Sequence, residues 1–506
     1  MPNIIGNGLK KIENFVLLSK YLGFFIQISV VISPIFMYNV YSRNFNVRTY
    51  AHLRPKEFMK YKVVTYGCQM NVHESEKVAG VLENMGYTLC GEEEIADVLV
   101  FNTCCIRDTA ERRALGNIGV VKAEKKQNPD MIIVVIGCMP AQPGVADMIK
   151  ERYPYVDIVL GTRNLDVLES EVRKVIEKRA TRRKNDKKYR CFNVEEPANY
   201  LELDEQLAVA RTSFPNAWVN IIYGCNNFCS YCIVPYVRGR EVSRDMNAVL
   251  DEVKRCVDEG YKEITLLGQN VNSYGNDLHL DGVNFASLLN EIDKIEGKFR
   301  VRFMTSHPKD LSEAVADVMA GSSKICSNIH LPIQSGSTKV LRDMNRRYDR
   351  DHYYSLIEML RSKMPDIGIT TDIMVGFPTE TEEDFEDTMD MVRRVRYSNA
   401  FTFIYSPRKG TPAAKMEQIP YDIKKRRIGE LIKLQNSITK ELSAEYIGGV
   451  YEVLVEDLAP KHENMVCGRT ESGRLVTFDG TANDIGEFKK VMITESRSAS
   501  LFGHTI

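Results

Sequence analysis

From Met59 the chain alternates short apolar runs with amphipathic stretches, and that rhythm leaves few folds open. Parallel strands need a helical crossover between them, so the pattern predicts repeated βα units. The early runs lie at 61–66 (YKVVTY), 97–101 (DVLVF), 131–136 (MIIVVI) and 156–160. A second series follows at 217–222, 263–267, 300–304, 327–331, 369–375 and 400–405. Between its first two members, Val249, Leu250, Val253, Cys256 and Val257 keep the spacing of a helix packed on a sheet. The fold class expected is therefore α/β. An N-terminal open parallel sheet is followed by a partial (β/α)6 barrel whose strand-end loops share one face. The style then changes. Short strands at 450–456, 464–468, 475–479 and 488–494, joined by polar turns, predict a small all-β barrel.

These shifts divide the chain into an extension at 1–58, domains at 59–180 and 211–445 with a linker at 181–210, and a terminal domain at 446–506. Residues 21–40 carry no charge and are long enough to span a membrane, but Gln27, Ser29, Ser33, Pro34 and Asn39 interrupt them. They read as a dispensable or mis-assigned extension. The 67 basic and 68 acidic residues nearly cancel, so any nucleic-acid surface has to be a local patch. Basic clusters at 178–190, 342–350, 393–396 and 424–427 are the candidates; taken singly, each reads as a solvated helix face.

Twelve cysteines in 506 residues are too sparse for a disulfide scaffold, and their placement matters more than their number. Cys225, Cys229 and Cys232 stand in GCNNFCSYC, directly after the first barrel strand. Three closely spaced thiolates can hold three irons of a cubane and leave the fourth open to a small molecule. The alternative is a zinc site with a distant fourth ligand, but no second C-x2-C and no H-x3-5-H follows. Cys68, Cys104 and Cys138 are thirty-six and thirty-four residues apart, each shortly past a strand of the first series. In an open parallel sheet such loops gather at the strand carboxyl ends, where three thiols from successive units can converge. Spacing does not choose between Cys104 and Cys105. Cys90, Cys191, Cys256, Cys326 and Cys467 lack this placement and read as packing residues.

TYGCQMN, NTC-x-IR, GCMPAQ, GCNNFCSYCIVPYVRGRE, LLGQNVNSYG, TSHP, HLPIQSGS, MNRRY and DIMVGFPTETEEDF together resemble the methylthiotransferase family of radical S-adenosylmethionine enzymes. The resemblance runs from about residue 59 to the C-terminus, and the text around the first cysteine is similar to the MiaB branch. It implies that Cys225, Cys229 and Cys232 bind a [4Fe-4S] cluster that chelates S-adenosylmethionine, and that Cys68, Cys104 and Cys138 bind an auxiliary [4Fe-4S] cluster. It further implies cofactor contacts at Tyr231, at Gly268, Gln269 and Asn270 after the second barrel strand, and at Gly376 and Glu380 after the fifth. The reaction implied is radical methylthiolation at C2 of N6-isopentenyladenosine 37 in the anticodon loop of tRNA. An inert C2–H calls for a cofactor rather than positioned acids and bases. A reducing electron donor and a sulfur source, which no motif names, are the further partners. The segment after 446 resembles a TRAM domain, an RNA-binding barrel. Sister reactions on threonylcarbamoyl-adenosine tRNA or on a ribosomal-protein aspartate, and a non-catalytic metal-containing RNA-binding module, are the alternatives. A monomer in the cytoplasm is expected, because clusters with an open iron need a reducing compartment.

Overall fold

The computed structural model describes residues 59–506 apart from 92–93, 107, 196–199 and 461, so the apolar stretch at 21–40 lies outside the described residues. Among the described residues no helix is long and apolar enough to cross a membrane. Strands β1 (Lys60–Thr65), β2 (Thr88–Leu89), β3 (Val98–Thr103), β4 (Ile132–Gly137), β5 (Ile158–Leu160) and β6 (Cys191–Asn193) form one parallel sheet in the order β2-β1-β3-β4-β5-β6. Strand β4 explains the unbroken apolar runs. Its Ile132, Val134 and Ile136 enter a core with Val78 and Leu82 of helix Gln69–Asn84. Its Ile133 and Val135 enter the opposite core with Ala114 and Ile118 of helix Asp108–Val120. A strand covered on both faces shows no polar alternation.

The expected linker at 181–210 is not a linker throughout, because β6 closes the sheet edge within it. Cys191 packs into one core and Phe192 into the other, an alternation too short to read beside so many charges. The basic run at 178–190 is not free either: Arg179 and Lys188 each meet buried Asp157 at 2.7 Å.

The second unit carries β7 (Asn216–Asn220), a short antiparallel ribbon of β8 (Ile222–Tyr223) with β9 (Val242–Ser243), then β10 (Glu263–Leu267), β11 (Arg300–Phe303), β12 (Asn328–His330), β13 (Gly368–Val375) and β14 (Asn399–Ile404). Two parallel three-stranded sheets, β11-β10-β7 and β12-β13-β14, are joined by a bridge from Val301 to Ile325, so six parallel strands make the partial barrel expected. The terminal strands β15 (Val450–Leu458), β16 (Met465–Thr470), β17 (Leu475–Asp479), β18 (Phe488–Arg497) and β19 (Ser500–Thr505) close a barrel. It docks under the amino ends of the β/α strands. Arg300 donates to the carbonyls of Glu452 and Arg469, both at 2.9 Å, and Arg302 to those of Thr470 and Glu471, at 2.8 and 3.0 Å. Gly368 opens β13 where a Cβ would lie 2.1 Å from the Ser472 carbonyl oxygen, so the approach requires glycine.

Candidate active site

The three candidate cysteines of the first domain each stand just past a strand: Cys68 after β1, Cys104 after β3 and Cys138 after β4. Gly67 and Gly137 make the sharp exits, with φ of +130° and +101°. A Cβ on Gly67 would lie 2.6 Å from the Cys104 Cβ, so the first two loops touch through that glycine. The Ile106 N–H points at the Cys104 Sγ (3.3 Å) and the Arg238 Nε at the Cys138 Sγ (3.0 Å). Burial pushes the Cys68 thiol up and carries the Cys104 thiol to about 12. The Cys105 thiol, also buried, is hydrogen-bonded to Cys138 and packs with Ile233 and Val237.

The second triad lies on a loop that its backbone folds tightly. Gly224 has φ of +72° and leaves 1.9 Å between a would-be Cβ and the Arg240 carbonyl oxygen. The Cys225 N–H donates to the Gly239 carbonyl at 3.2 Å, which ties the two ends of the loop. The Val234 N–H approaches the Cys232 Sγ (3.4 Å), and Arg346 Nη1 stands 3.7 Å from the Cys229 Sγ. Burial raises Cys225 to about 11 and lifts Cys232 as well. As bare thiols at neutral pH Cys225 and Cys232 stay protonated; a bound cation is what stabilises their thiolates. Among the described residues no set of three His, Cys, Asp or Glu side chains stands ready to hold a single metal ion.

The two triads border one region. Helix Val234–Val237 starts two residues after Cys232 and lies against Cys105 and Cys138. The next residue, Arg238, is 4% exposed and bonds Glu74 (2.7 Å), Asn71 (3.3 Å) and the Cys138 sulfur. Gln269 Nε2 contacts the Met70 sulfur, so the loop after β10 meets the first turn of the helix that follows β1. Strand-end loops of both sheets therefore face each other.

Around the barrel's carboxyl rim lies a set of buried polar atoms without partners among the described residues: both amide atoms of Asn220, Gln269 Oε1, Asn270 Oδ1, Asn272 Nδ2, Ser306 Oγ and His307 Nε2. Buried polar groups are otherwise nearly always satisfied, so this concentration marks a seat for a polar ligand. Burial holds the His307 imidazole neutral, with Arg346 and Lys309 adding to the effect.

Residues 219–392 match the radical SAM superfamily, residues 60–161 an uncharacterized protein family (UPF0004) and residues 444–506 the TRAM domain. A tRNA-2-methylthio-N(6)-dimethylallyladenosine synthase of Carboxydothermus hydrogenoformans is 49% identical over 444 residues, 88% of this chain and 98% of the relative. One of a Thermoanaerobacter species is 48% identical over 88% of this chain and 92% of its own. The chain belongs to the tRNA-2-methylthio-N(6)-dimethylallyladenosine synthase family. Among solved structures, the radical S-adenosylmethionine methyltransferase TsrM of Kitasatospora setae, with cobalamin and a [4Fe-4S] cluster bound, superposes with a TM-score of 0.50. That alignment covers 70% of this chain and 74% of TsrM at 13% identity, a likeness of fold.

The superfamily carries S-adenosylmethionine and a [4Fe-4S] cluster, and this chain's residues suit both: buried sulfurs met by N–H donors, beside orphaned polar atoms. In this synthase-family chain, Gln269 and Asn270 join that rim, while Gly268 packs tightly on Ile222. Tyr231 packs with Phe377 and Met344 near the loop, half-buried. Gly376 and Glu380 lie in a different arrangement. Glu380 Oε2 accepts from the Gly376 N–H and from Arg427, both at 2.7 Å, which locks the turn to helix Tyr421–Ala444. Lys424 and Arg427 are thereby buried, so half of the basic cluster at 424–427 is not a solvated face. The sequence reading gave no role to Arg238, Arg346, Asn220, Asn272, Ser306 or His307. Five of these lie within the motifs VRGRE, MNRRY, QNVN and TSHP; only Asn220 does not.

Proposed function

We propose that the chain methylthiolates C2 of N6-isopentenyladenosine 37 in the anticodon loop of tRNA, with Cys225, Cys229 and Cys232 holding the cluster that binds S-adenosylmethionine. Cys68, Cys104 and Cys138 hold a second [4Fe-4S] cluster. The names and identities of the relatives support the reaction. One observation supports the two-cluster site above all: Arg238, six residues beyond Cys232, bonds the Cys138 sulfur, which ties the loop of one triad to the other. Cys104 is favoured over Cys105 because it interacts with both Cys68 and Cys138, whereas Cys105 interacts with Cys138 and Cys104.

When bound, the first cluster would supply the electron that cleaves S-adenosylmethionine, and the second would be the place where sulfur is delivered to the base. The chain's own residues hold and shield them. Arg238 and Arg346 place guanidinium charge beside sulfur ligands, which favours the thiolates and a reduced cluster. Gln269, Asn270 and Ser306 offer hydrogen bonds to a polar cofactor at the rim. The terminal barrel matches an RNA-binding domain by family, and a base in a single-stranded loop swings out at low cost. Exposed iron confines such a protein to a reducing compartment, the cytoplasm.

Anaerobic reconstitution, then mass analysis of isopentenylated tRNA after adding reductant and S-adenosylmethionine, tests the reading. A methylthio group replacing one hydrogen is expected. Activity on threonylcarbamoyl-adenosine tRNA alone, or no cofactor cleavage at all, would overturn it.

A further inference from the structure

At the barrel end remote from the cysteine loops, a cavity of about 730 Å³ opens between the β/α strands' amino ends and the terminal barrel. That is the size of a small-ligand pocket. Strand β13 alone, eight residues long, puts roughly 25 Å between the two ends at about 3.3 Å per residue. An occupant there takes no part in the reaction.

The cations of this cavity are unevenly neutralised. Lys298 and Arg300 pair with Glu452 at 2.9 and 3.5 Å. Lys324, Arg361 and Arg474 have no carboxylate partner among the described residues. Lys324 donates to the carbonyls of Asp293 and Ile295, and Arg361 to that of Val395. Arg474 bonds the Ser398 carbonyl (3.2 Å) and the Ser443 hydroxyl (3.3 Å). Arg474 is only 6% exposed, yet its Nε has no hydrogen-bond partner among the described residues. Burial, with Arg396 nearby, presses the Arg361 guanidinium below its ordinary value, as expected for a cation short of a counter-ion. The lining carboxylates do not pair with them: Glu452 is taken up, Glu471 accepts from the Ser327 N–H at 3.2 Å, and Glu445 and Asp366 are exposed, Asp366 beside Tyr451.

Half-buried aromatic faces share the same wall. The rings of Tyr446 and Tyr451 lie 4.9 Å apart, and Lys298 and Arg300 sit 4.5 and 5.0 Å over the Phe488 ring. Guanidinium donors with open positions beside aromatic surface are the two halves of nucleotide recognition. We propose that this cavity binds a nucleotide, its phosphate drawn to Lys324, Arg361 and Arg474 and its base to the tyrosine pair. The nucleotide is either free in solution or an unpaired nucleotide of the bound RNA, since both present the same groups.

Calorimetric titration of the reconstituted full chain, saturated with S-adenosylmethionine, tests this with adenosine diphosphate and inorganic pyrophosphate as probes. Adenosine diphosphate is expected to bind more tightly than pyrophosphate. Arg474→Gln and Lys324→Gln should each weaken both ligands by about tenfold, the loss of one charge-assisted contact. Tyr451→Ala, a change at a half-buried ring, should weaken the nucleotide and leave pyrophosphate unchanged. Cofactor cleavage without tRNA should be the same in all three variants. Competition by tRNA assigns the cavity to a nucleotide of the RNA, and undisturbed binding assigns it to a free nucleotide; either upholds the site. No heat up to millimolar nucleotide, or binding indifferent to Lys324→Gln and Tyr451→Ala, would overturn it.

Discussion

Replacing Arg238 by Met is the most direct test of how the two cysteine sets are held together. The guanidinium is buried, and it satisfies Glu74, Asn71 and the Cys138 sulfur at 2.7, 3.3 and 3.0 Å. Removing it leaves the Glu74 carboxylate, itself 6% exposed, without its counter-ion. A buried pair broken on one side costs about 3–5 kcal/mol, whereas replacing both partners by apolar groups is close to neutral. Arg238→Met is therefore expected to lower stability by about 3–5 kcal/mol, and Arg238→Met with Glu74→Leu to recover most of that loss. Urea unfolding of the apo-chain measures both. The double variant then isolates the sulfur contact. With the fold restored it should still cleave S-adenosylmethionine, because Cys225, Cys229 and Cys232 are untouched, yet bind iron poorly at the first-domain triad and insert little sulfur. Arg238→Lys keeps the charge but has no planar fork to span Glu74 and Cys138 together, so it should be stable and intermediate in iron content. Unchanged stability and iron content in Arg238→Met would refute the bridging role outright.

Other consequences are equally specific. Cys225→Ala should abolish deoxyadenosine formation, while Cys68→Ala should retain it and yield no methylthiolated tRNA; each should lose about half the iron of the loaded chain. Cys104→Ala should behave as Cys68→Ala, but Cys105→Ala should keep its full iron, and the reverse result would exchange their assignments. Gly224→Ala places a Cβ 1.9 Å from the Arg240 carbonyl oxygen in a left-handed turn. It should cost at least about 2 kcal/mol in unfolding measurements. Burial alone would raise Glu252, but Arg244, His73 and Arg211 outweigh it and bring the carboxyl to about 2. Its contribution, roughly 3 kcal/mol for a depression from an ordinary value near 4.5, is complete above that value and lost as pH falls toward 2. Glu252→Gln should flatten that part of an acid-denaturation profile.

The core strands were legible because burial on both faces writes a continuous apolar run: 263–267 is recovered without a shift. Half-exposed 400–405 still reads as apolar and is displaced by one residue as Asn399–Ile404. What escaped were elements whose signal is shorter than its noise. β6 spans three residues behind a basic run, and β2 spans two exposed ones. β19 sits in SLFGHT at the chain's end, paired with β18 and in parallel with β17, a neighbour that local pattern does not announce. The placement of the cysteines was legible, since Cys68, Cys104 and Cys138 follow β1, β3 and β4 as their spacing implies. Glu380 was read as a cofactor contact from its place after a strand. Its Oε2 is committed to Gly376 and Arg427, and Oε1 alone is left unpartnered.

The residues that organise the sulfurs were illegible for a different reason. Arg238 and Arg240 stand two apart in VRGRE, as Arg346 and Arg347 stand side by side in MNRRY. In each pair one guanidinium is buried against a cysteine and the other is exposed. No local property separates them, since both members carry the same charge in the same segment. The difference arises from contacts 164 residues away for Arg238 with Glu74 and 117 for Arg346 with Cys229. An arginine in such a place is stabilised only if a carboxylate, a carbonyl or a sulfur waits for it in the docked structure. Charge in a sequence therefore marks where a surface is allowed. The tertiary partner decides whether that charge becomes surface or holds a site together.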